Sequence, residues 1–406
     1  MIFTFCPKKV NILSSAWIAG LSRRQRVIDY GKLRISINLD HIVHNYNFMR
    51  SLHQGLIPVV KCEAYGHGLI PVSQALIKAG CATLAVGTID EAVKLREQGQ
   101  FQGAILSMLG AYDNTEAEAA WAYDIMPFVC QISQLEMLQR AGLNREGRLS
   151  ICLKTDTGMS RLGFRETDLP GLERALGRCN RLEPAMLCSH LASADDPEAA
   201  PLVMRQAERF NSMLRTMRLA GYQPKACLAN SAAMLAYPQL RLDHQRIGIA
   251  LYGINPFAGT DLEKPGKALK PAMEVRAPIL QIQRLAKGAR VSYGGTFTCP
   301  ADMPVGIVAA GYANAYSRSL SNQACMLVRG RRVPVIGRVC MQLTAVDLSG
   351  APEASVQDLA VLLGKQDEER ITPQEMAAWW KTIPYELFCL LGLNPRSYIQ
   401  NNYETV

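Results

Sequence analysis

The chain has 406 residues, room at roughly 150 residues per domain for two or three domains with cores of their own, which excludes a small disulfide- or metal-stapled module. Hydrophobic residues make up 49% and charged residues 19%, which excludes a disordered or collagen-like chain, and no apolar run approaches the roughly 18 residues of a membrane span. The formal charge of +9 invites a nucleic-acid reading until it is located. Residues 1–35 carry Lys8, Lys9, Arg23, Arg24, Arg26, Lys32 and Arg34 against Asp29 alone, so +6 of the +9 belongs to this leader.

The leader has a lysine pair, an uncharged stretch from Val10 to Ser22 and an Arg-rich exit, which loosely resembles a targeting segment. Asn11, Ser14 and Ser15 interrupt the stretch, and a disordered extension or an upstream start codon is the stronger reading. The 12 cysteines include no pair closer than nine residues, so no C-x-x-C spacing for zinc or redox work exists. They read as reduced, mostly buried thiols of a cytoplasmic protein.

From Leu33 short apolar runs alternate with stretches of helical period. Ile57–Lys61 reads as a strand; a Gly-rich turn follows, then a helix over Pro71–Lys78. Thr83–Val86 is the next strand, and Thr88 with Glu91 forms a capping box opening a helix to Gln98. Strands Ala104–Met108 and Ile125–Val129, a helix Ser133–Arg140, and strands Leu149–Lys154, Ala185–Ser189 and Ala226–Leu228 continue the series, with helices near Leu169–Leu176 and Ala200–Ala220. Seven or eight such units match a TIM-like (β/α)8 barrel, with a doubly wound sheet as the competitor. After Lys270 the texture becomes β-rich: Met273–Leu285, Val305–Ala310, Met326–Val328, Val333–Val339, Thr344–Leu348 and Leu359–Leu363 predict a mostly antiparallel C-terminal β domain. Helices near Pro373–Trp380 and Pro384–Leu391 close the chain. The expected organisation is an extension over 1–35, a barrel over 36–270 and a β domain over 271–406.

Lys61, Lys154, His190, the Asn230-Ser231 pair and Arg246 fall where barrel strands end, the active-site face of such a fold. A lysine ending an apolar strand and followed by Gly66-His67-Gly68 can bind a carbonyl cofactor covalently, because desolvation frees its amine. The structural alternative is a rim lysine paired with an acid. Asp156-Thr157-Gly158 is half of an aspartic-protease signature, and no second D-T-G occurs. Gly248 and Gly253 lack the spacing of a dinucleotide or Walker loop, although a glycine turn can offer backbone N–H groups to one phosphate.

The blocks Val59-Val60-Lys61-Cys62-Glu63-Ala64-Tyr65-Gly66-His67-Gly68, Lys154-Thr155-Asp156-Thr157-Gly158-Met159-Ser160-Arg161-Leu162-Gly163, Asn230-Ser231-Ala232-Ala233, Arg246-Ile247-Gly248-Ile249-Ala250-Leu251-Tyr252-Gly253, Val291-Ser292-Tyr293-Gly294, Val339-Cys340-Met341 and Ile383-Pro384-Tyr385-Glu386 occur in this order. Together they closely resemble the alanine racemases, pyridoxal-phosphate enzymes with an N-terminal barrel and a C-terminal β domain. The resemblance spans about Leu33 to Tyr398 and implies interconversion of L- and D-alanine, the D-alanine serving as a peptidoglycan precursor. Racemases of serine, lysine or arginine and a non-catalytic cofactor-binding protein are the alternatives.

By that resemblance Lys61 would hold pyridoxal 5'-phosphate and act as the base on one face of Cα. Tyr293, brought by the partner subunit of a homodimer with shared active sites, would act on the other. Arg246 would face the pyridine nitrogen and discourage its protonation, with His190 beside the ring. Tyr65, Asn230, Ser231, Gly248, Ile249 and Tyr385 would bind the cofactor, chiefly at its phosphate. Arg161 and the Met341 backbone would hold the substrate carboxylate, supported by Lys154, which is carbamylated in relatives, and by Cys340 and Tyr312. Tyr312, Arg318, Arg338 and Asp195 match positions along the family's substrate access path.

The chain also departs from the family pattern. Cys62-Glu63 replaces Ala-Asn after the lysine, Ile247 a proline, Gln342 an aspartate, and Cys227 stands where a histidine supports the arginine. A thiol is a weak hydrogen-bond partner, so Arg246 is expected to be anchored differently. His41, His44, His53 and His244 have no partner at metal spacing, and no metal, nucleic acid or membrane is expected.

Overall fold

The computed structural model describes residues 32–400. Residues 1–31, which hold most of the leader, lie outside the described part.

The first strand, β1 (Arg34–Asn38), does not enter the barrel; it pairs antiparallel with the start of the C-terminal β region. Asn38 then caps the helix Leu39–Leu52, its side chain accepting from the His41 N–H. Eight parallel strands follow: β2 (Leu56–Pro58), β3 (Thr83–Val86), β4 (Ala104–Ser107), β5 (Ile125–Val129), β6 (Leu149–Lys154), β7 (Leu182–Cys188), β8 (Lys225–Cys227) and β9 (Gln245–Ile247). β3 to β8 form one sheet in sequence order, and β2 pairs with β9. Bridges Val59–Ala85 and Cys227–His244 join the two sheets on both sides, closing the (β/α)8 barrel. Closure decides against a doubly wound sheet, which leaves two edges open.

Parallel strands buried on both faces read as apolar runs rather than alternations, as β3 and β6 do. Two of the helices between them carry side-chain caps: Thr88 and Glu91 form a reciprocal capping box at Ile89–Glu97, and Asp113 accepts from the Glu116 N–H at Asn114–Ala122.

The β region begins with β10 (Met273–Leu285), a 13-residue strand with a register shift between Ile279 and Gln281. Its first half pairs with β1 and β17 (Leu359–Gln366), its second with β13 (Met303–Val308). A bulge lets one strand turn the corner between two directions of sheet. β14 (Cys325–Val328), β15 (Arg331–Ile336) and β16 (Thr344–Asp347) continue antiparallel between β17 and β13. The order β17-β14-β15-β16-β13-β10, with β10 back on β17, makes a closed antiparallel array. Short β11 (Arg290–Val291) and β12 (Phe297–Thr298) form a hairpin, and β18 (Glu369–Ile371) extends β17. The last strand, β19 (Arg396–Ile399), returns to lie parallel to β1. That return was not legible in the sequence, because both strands are short and their pairing spans nearly the whole chain.

Candidate active site

The side chains singled out from the sequence collect at one end of the barrel. Lys61 follows β2, Lys154 ends β6, His190 lies two residues beyond β7, Ser231 opens the helix after β8, and Arg246 sits on β9 with Gly248 just past it. All are at the carboxyl ends of the strands, where loop N–H groups and side chains converge.

Lys61 leads into a tight left-handed turn. Cys62, Glu63, Ala64 and Tyr65 all have φ of 53° or 54°, followed by Gly66 at 77°. Left-handed backbone costs an L-residue roughly 1–2 kcal/mol, so four in succession store about 4–8 kcal/mol. The turn is closed by its own bonds, Ala64 N–H to Val60 C=O at 2.8 Å and Gly66 N–H to Cys62 C=O at 3.0 Å. Glu91 adds an external anchor: its carboxylate accepts from the N–H of Cys62 at 2.6 Å and of Gly87 at 2.7 Å. The capping box marks Glu91 as a helix opener; that the same carboxylate also holds the Lys61 turn is a tertiary fact. The expected strand Ile57–Lys61 ends at Pro58, with Val59 adding a single bridge to Ala85, and the turn begins at Lys61.

Beside the turn lies a hydroxyl-lined cradle. The Tyr65 ring packs 4.8 Å from Tyr252 and 5.9 Å from Tyr385. Burial raises the Tyr65 hydroxyl well above its ordinary pKa, and burial with nearby Asp195 pushes Tyr385 up to about 12, so both are neutral donors. Ser231 Oγ accepts from the N–H of Gly248 at 3.0 Å and Ala250 at 3.3 Å. A Cβ at Gly248 would lie 2.6 Å from Tyr65 Oη. The glycine therefore keeps open a space edged by Tyr65 Oη, Ser231 Oγ and the backbone after β9, and such neutral donors suit a phosphate. Asn230 is differently engaged: its side chain accepts from the Ala233 N–H at 3.0 Å and caps the helix Ser231–Ala236.

Arg246 is buried and held chiefly by backbone. One terminal nitrogen donates to Cys227 C=O and to Cys227 Sγ, both at 3.0 Å; the other donates to Ser189 C=O and meets His190 Nδ1 at 3.3 Å. Two backbone carbonyls thus do most of what a side-chain acceptor would otherwise do. Burial raises the Cys227 thiol well above its ordinary pKa, so it accepts as a neutral thiol. His190 falls to about 3, first through burial and then through the charges of Arg246, Lys154, Arg161 and Lys61, which leaves it neutral. Gln206, from the helix Ala200–Leu219, holds this strand end by accepting from Ala192 N–H at 2.9 Å and donating to His190 C=O at 3.1 Å.

Lys154 is 7% exposed and its Nζ donates to Thr155 C=O at 2.6 Å. Burial, then the charge of Arg246, lowers it from 10.5 to about 8. Asp156, in sequence only an unmatched protease triplet, organises the chain around it. Its Oδ1 accepts from the N–H groups of Gly158, Met159 and Ser160, each at 3.0 Å. These bonds fold the loop that presents Arg161.

Tyr293, Tyr312, Cys340 and Met341 form a second group on the β domain. Ser292 Oγ donates to Arg338 C=O at 2.6 Å and meets Cys340 Sγ at 3.2 Å, while the N–H of Tyr312 donates to Cys340 C=O at 3.0 Å. Tyr293 is 70% exposed and Met341 57%. A cleft of about 410 Å³, lined in part by Arg318 and Arg338, opens beside them. Among the described residues no group of three or more His, Cys, Asp or Glu is placed to hold a metal ion, and no helix is long and apolar enough to cross a membrane.

A buried arginine, a strand-end lysine and a hydroxyl-lined cradle at the carboxyl mouth of a (β/α)8 barrel, followed by an antiparallel β domain, fit a barrel enzyme that holds a phosphorylated carbonyl cofactor. The family models agree: the alanine racemase N-terminal domain matches residues 37–256 and its C-terminal domain residues 272–398. An alanine racemase of Nitratidesulfovibrio vulgaris (strain Miyazaki F) is 48% identical over 372 residues, covering 91% of this chain and 99% of that one. The crystal structure of alanine racemase from Streptomyces lavendulae superposes with a TM-score of 0.85 at 31% identity, covering 92% of this chain and 98% of that one. That of Bartonella henselae, described with covalently bound pyridoxal phosphate, gives 0.82 at 26% identity, covering 91% and 99%. The chain belongs to the alanine racemase family, and it is a pyridoxal-phosphate-dependent enzyme that interconverts L- and D-alanine.

Proposed function

We propose that racemisation proceeds by two bases, Lys61 Nζ on one face of the substrate Cα and Tyr293 Oη of the partner subunit on the other. Pyridoxal phosphate, when bound, supplies the electron sink that acidifies the Cα–H. The observation that carries the reading is the split of the site. Lys61, Arg246 and the cradle lie in the barrel mouth, whereas Tyr293 stands 70% exposed on the β domain. A base must face its proton in a site shielded from water, so an exposed tyrosine serves once a second copy of the chain covers it.

The cradle residues Tyr65, Ser231, Gly248, Ile249 and Tyr385 bind the phosphate, and Arg246 faces the pyridine nitrogen. With His190 neutral and Arg246 holding its protons firmly, the guanidinium would offer the ring nitrogen a hydrogen bond without transferring a proton to it. Arg161, held by the Asp156 loop, pairs with the substrate carboxylate together with the Met341 backbone. Lys154, whose amine is partly free near pH 8, adds carbon dioxide with loss of a proton, and the carbamate anion orients Arg161. Asn230 acts through the helix cap. The enzyme works as a cytoplasmic homodimer and supplies D-alanine for peptidoglycan.

The test is directional. Substituting Tyr293→Phe should slow solvent-deuterium incorporation from one alanine enantiomer far more than from the other, and equal, near-parental exchange from both would sink the two-base assignment. Sedimentation reads the dimer independently.

A further inference from the structure

The left-handed turn behind Lys61 is closed on its outer side by the end of the chain. Arg396, on β19, donates from one terminal nitrogen to Gly66 C=O at 2.8 Å, and its other nitrogen lies 3.5 Å from the Glu63 carboxylate. Glu63 in turn accepts from the Leu69 N–H at 3.3 Å, so one arginine ties the Glu63 carboxylate to the carbonyl that ends the turn. Around this pair the backbone fits without slack. A Cβ on Gly66 would strike the Phe388 carbonyl, one on Gly392 the Gly66 backbone, and one on Gly68 the Tyr398 hydroxyl. His67 is wedged between Tyr252, at 4.5 Å, and Phe388, at 4.8 Å. The Arg396 side chain is 17% exposed and Glu63 51%, so the weight falls on the sheltered bond to the Gly66 carbonyl rather than on the ion pair.

We propose that β19, through Arg396 and its partner Glu63, is a clasp that keeps the left-handed turn wound, making Arg396 a positioning residue for the cofactor-bearing lysine; this rests on Lys61 being that lysine. Four residues in left-handed backbone unwind unless their surroundings over-determine them. Glu91 fixes the start of the turn at the Cys62 N–H, and Arg396 fixes its end at the Gly66 carbonyl. Because β19 is anchored on β1, the clasp is tied to the β domain's sheet rather than to a loop. Loss of the clasp lets Lys61 Nζ wander from the aldehyde carbon, and the cofactor leaves more readily.

The test uses the full-length holoenzyme and two readouts, amide hydrogen exchange of peptides covering 60–70 and the rate of cofactor release after dilution. Arg396→Met should speed both by about ten- to a hundredfold, as expected for losing a charge-assisted bond to a strained turn, while amides of β5 and β6 keep their parental rates. Arg396→Lys should recover part of the loss, because an ammonium still reaches the Gly66 carbonyl. Glu63→Gln, at a half-exposed carboxylate that folding tolerates, should shift both readouts in the same direction by less. Unchanged exchange of the turn in either Arg396→Met or Glu63→Gln, or acceleration only in step with β5 and β6, overturns the clasp. Borohydride fixation followed by peptide mapping reads the underlying assignment separately. Label on a lysine other than Lys61 overturns the link to the cofactor, whereas the exchange result stands on its own.

Discussion

Replacing Lys154 with methionine should stabilise the protein at neutral pH, although it deletes a hydrogen bond. Burial lowers the ammonium from 10.5 to about 8, a difference that corresponds to roughly 3 kcal/mol of destabilisation while the group is protonated in both states. The unfolded chain keeps this proton up to about pH 10.5 and the folded chain only up to about pH 8. The penalty is therefore complete below pH 8, shrinks as pH rises through that window, and is gone above it. Against it stands the bond from Nζ to Thr155 C=O at 2.6 Å, about 1–1.5 kcal/mol. Methionine fills a similar volume without charge, so the variant should gain about 2 kcal/mol at pH 7 and nothing by pH 10. The assay is urea unfolding of parent and variant at matched concentration, in buffer depleted of carbon dioxide so that the amine is free, at both pH values. A variant less stable than the parent at pH 7, or a gap that ignores pH, refutes the reasoning. Returning bicarbonate should then stabilise the parent and leave the variant unmoved.

Gly248→Ala places a methyl 2.6 Å from Tyr65 Oη, and the Tyr252 ring behind Tyr65 limits its retreat; cofactor affinity, followed by fluorescence quenching, should fall by about tenfold or more. Asp156→Ala removes the shared acceptor of three N–H groups, two of them at exposed residues where water takes its place, so thermal unfolding should show a loss of about 0.5–1.5 kcal/mol, and KM for alanine should rise more than kcat falls. Cys227→Ala removes only the weakest of the four contacts of Arg246. Its cofactor absorbance band should stay in place and kcat within about threefold; a large spectral shift would show the thiol to be the principal anchor.

Much of the site was legible because its chemistry is written in contiguous blocks. A lysine after an apolar run, glycines that must admit backbone, and an arginine on a short strand carry their meaning locally. Glu91 could be read only halfway: the Thr88 pairing showed a capping box, but nothing local says that the same carboxylate also meets the Cys62 N–H. Asp156 shows the opposite case, a misleading triplet whose role becomes plain once three N–H groups are seen to converge on one oxygen. Tyr252, quoted only within a block, and Gln206 were given no role from the sequence; it is their neighbours, Tyr65 and His190, that give them a part in the site.

Composition and periodicity were sufficient for seven or eight β/α units followed by a β-rich region, and left a barrel and a doubly wound sheet both open. The amino-acid sequence by itself also pointed to the reaction, through the family resemblance carried by the ordered blocks that hold Lys61, Arg246 and Tyr293, while leaving other amino-acid substrates open. Only the tertiary structure decided that the sheet closes, that β1 belongs with β10 and β19, and that Arg246 hangs chiefly on the backbone carbonyls of Cys227 and Ser189. These are contacts between residues far apart in the chain. Local propensity carries no term for them, and they are set by which surfaces remain to be buried once the nearer pairings have formed.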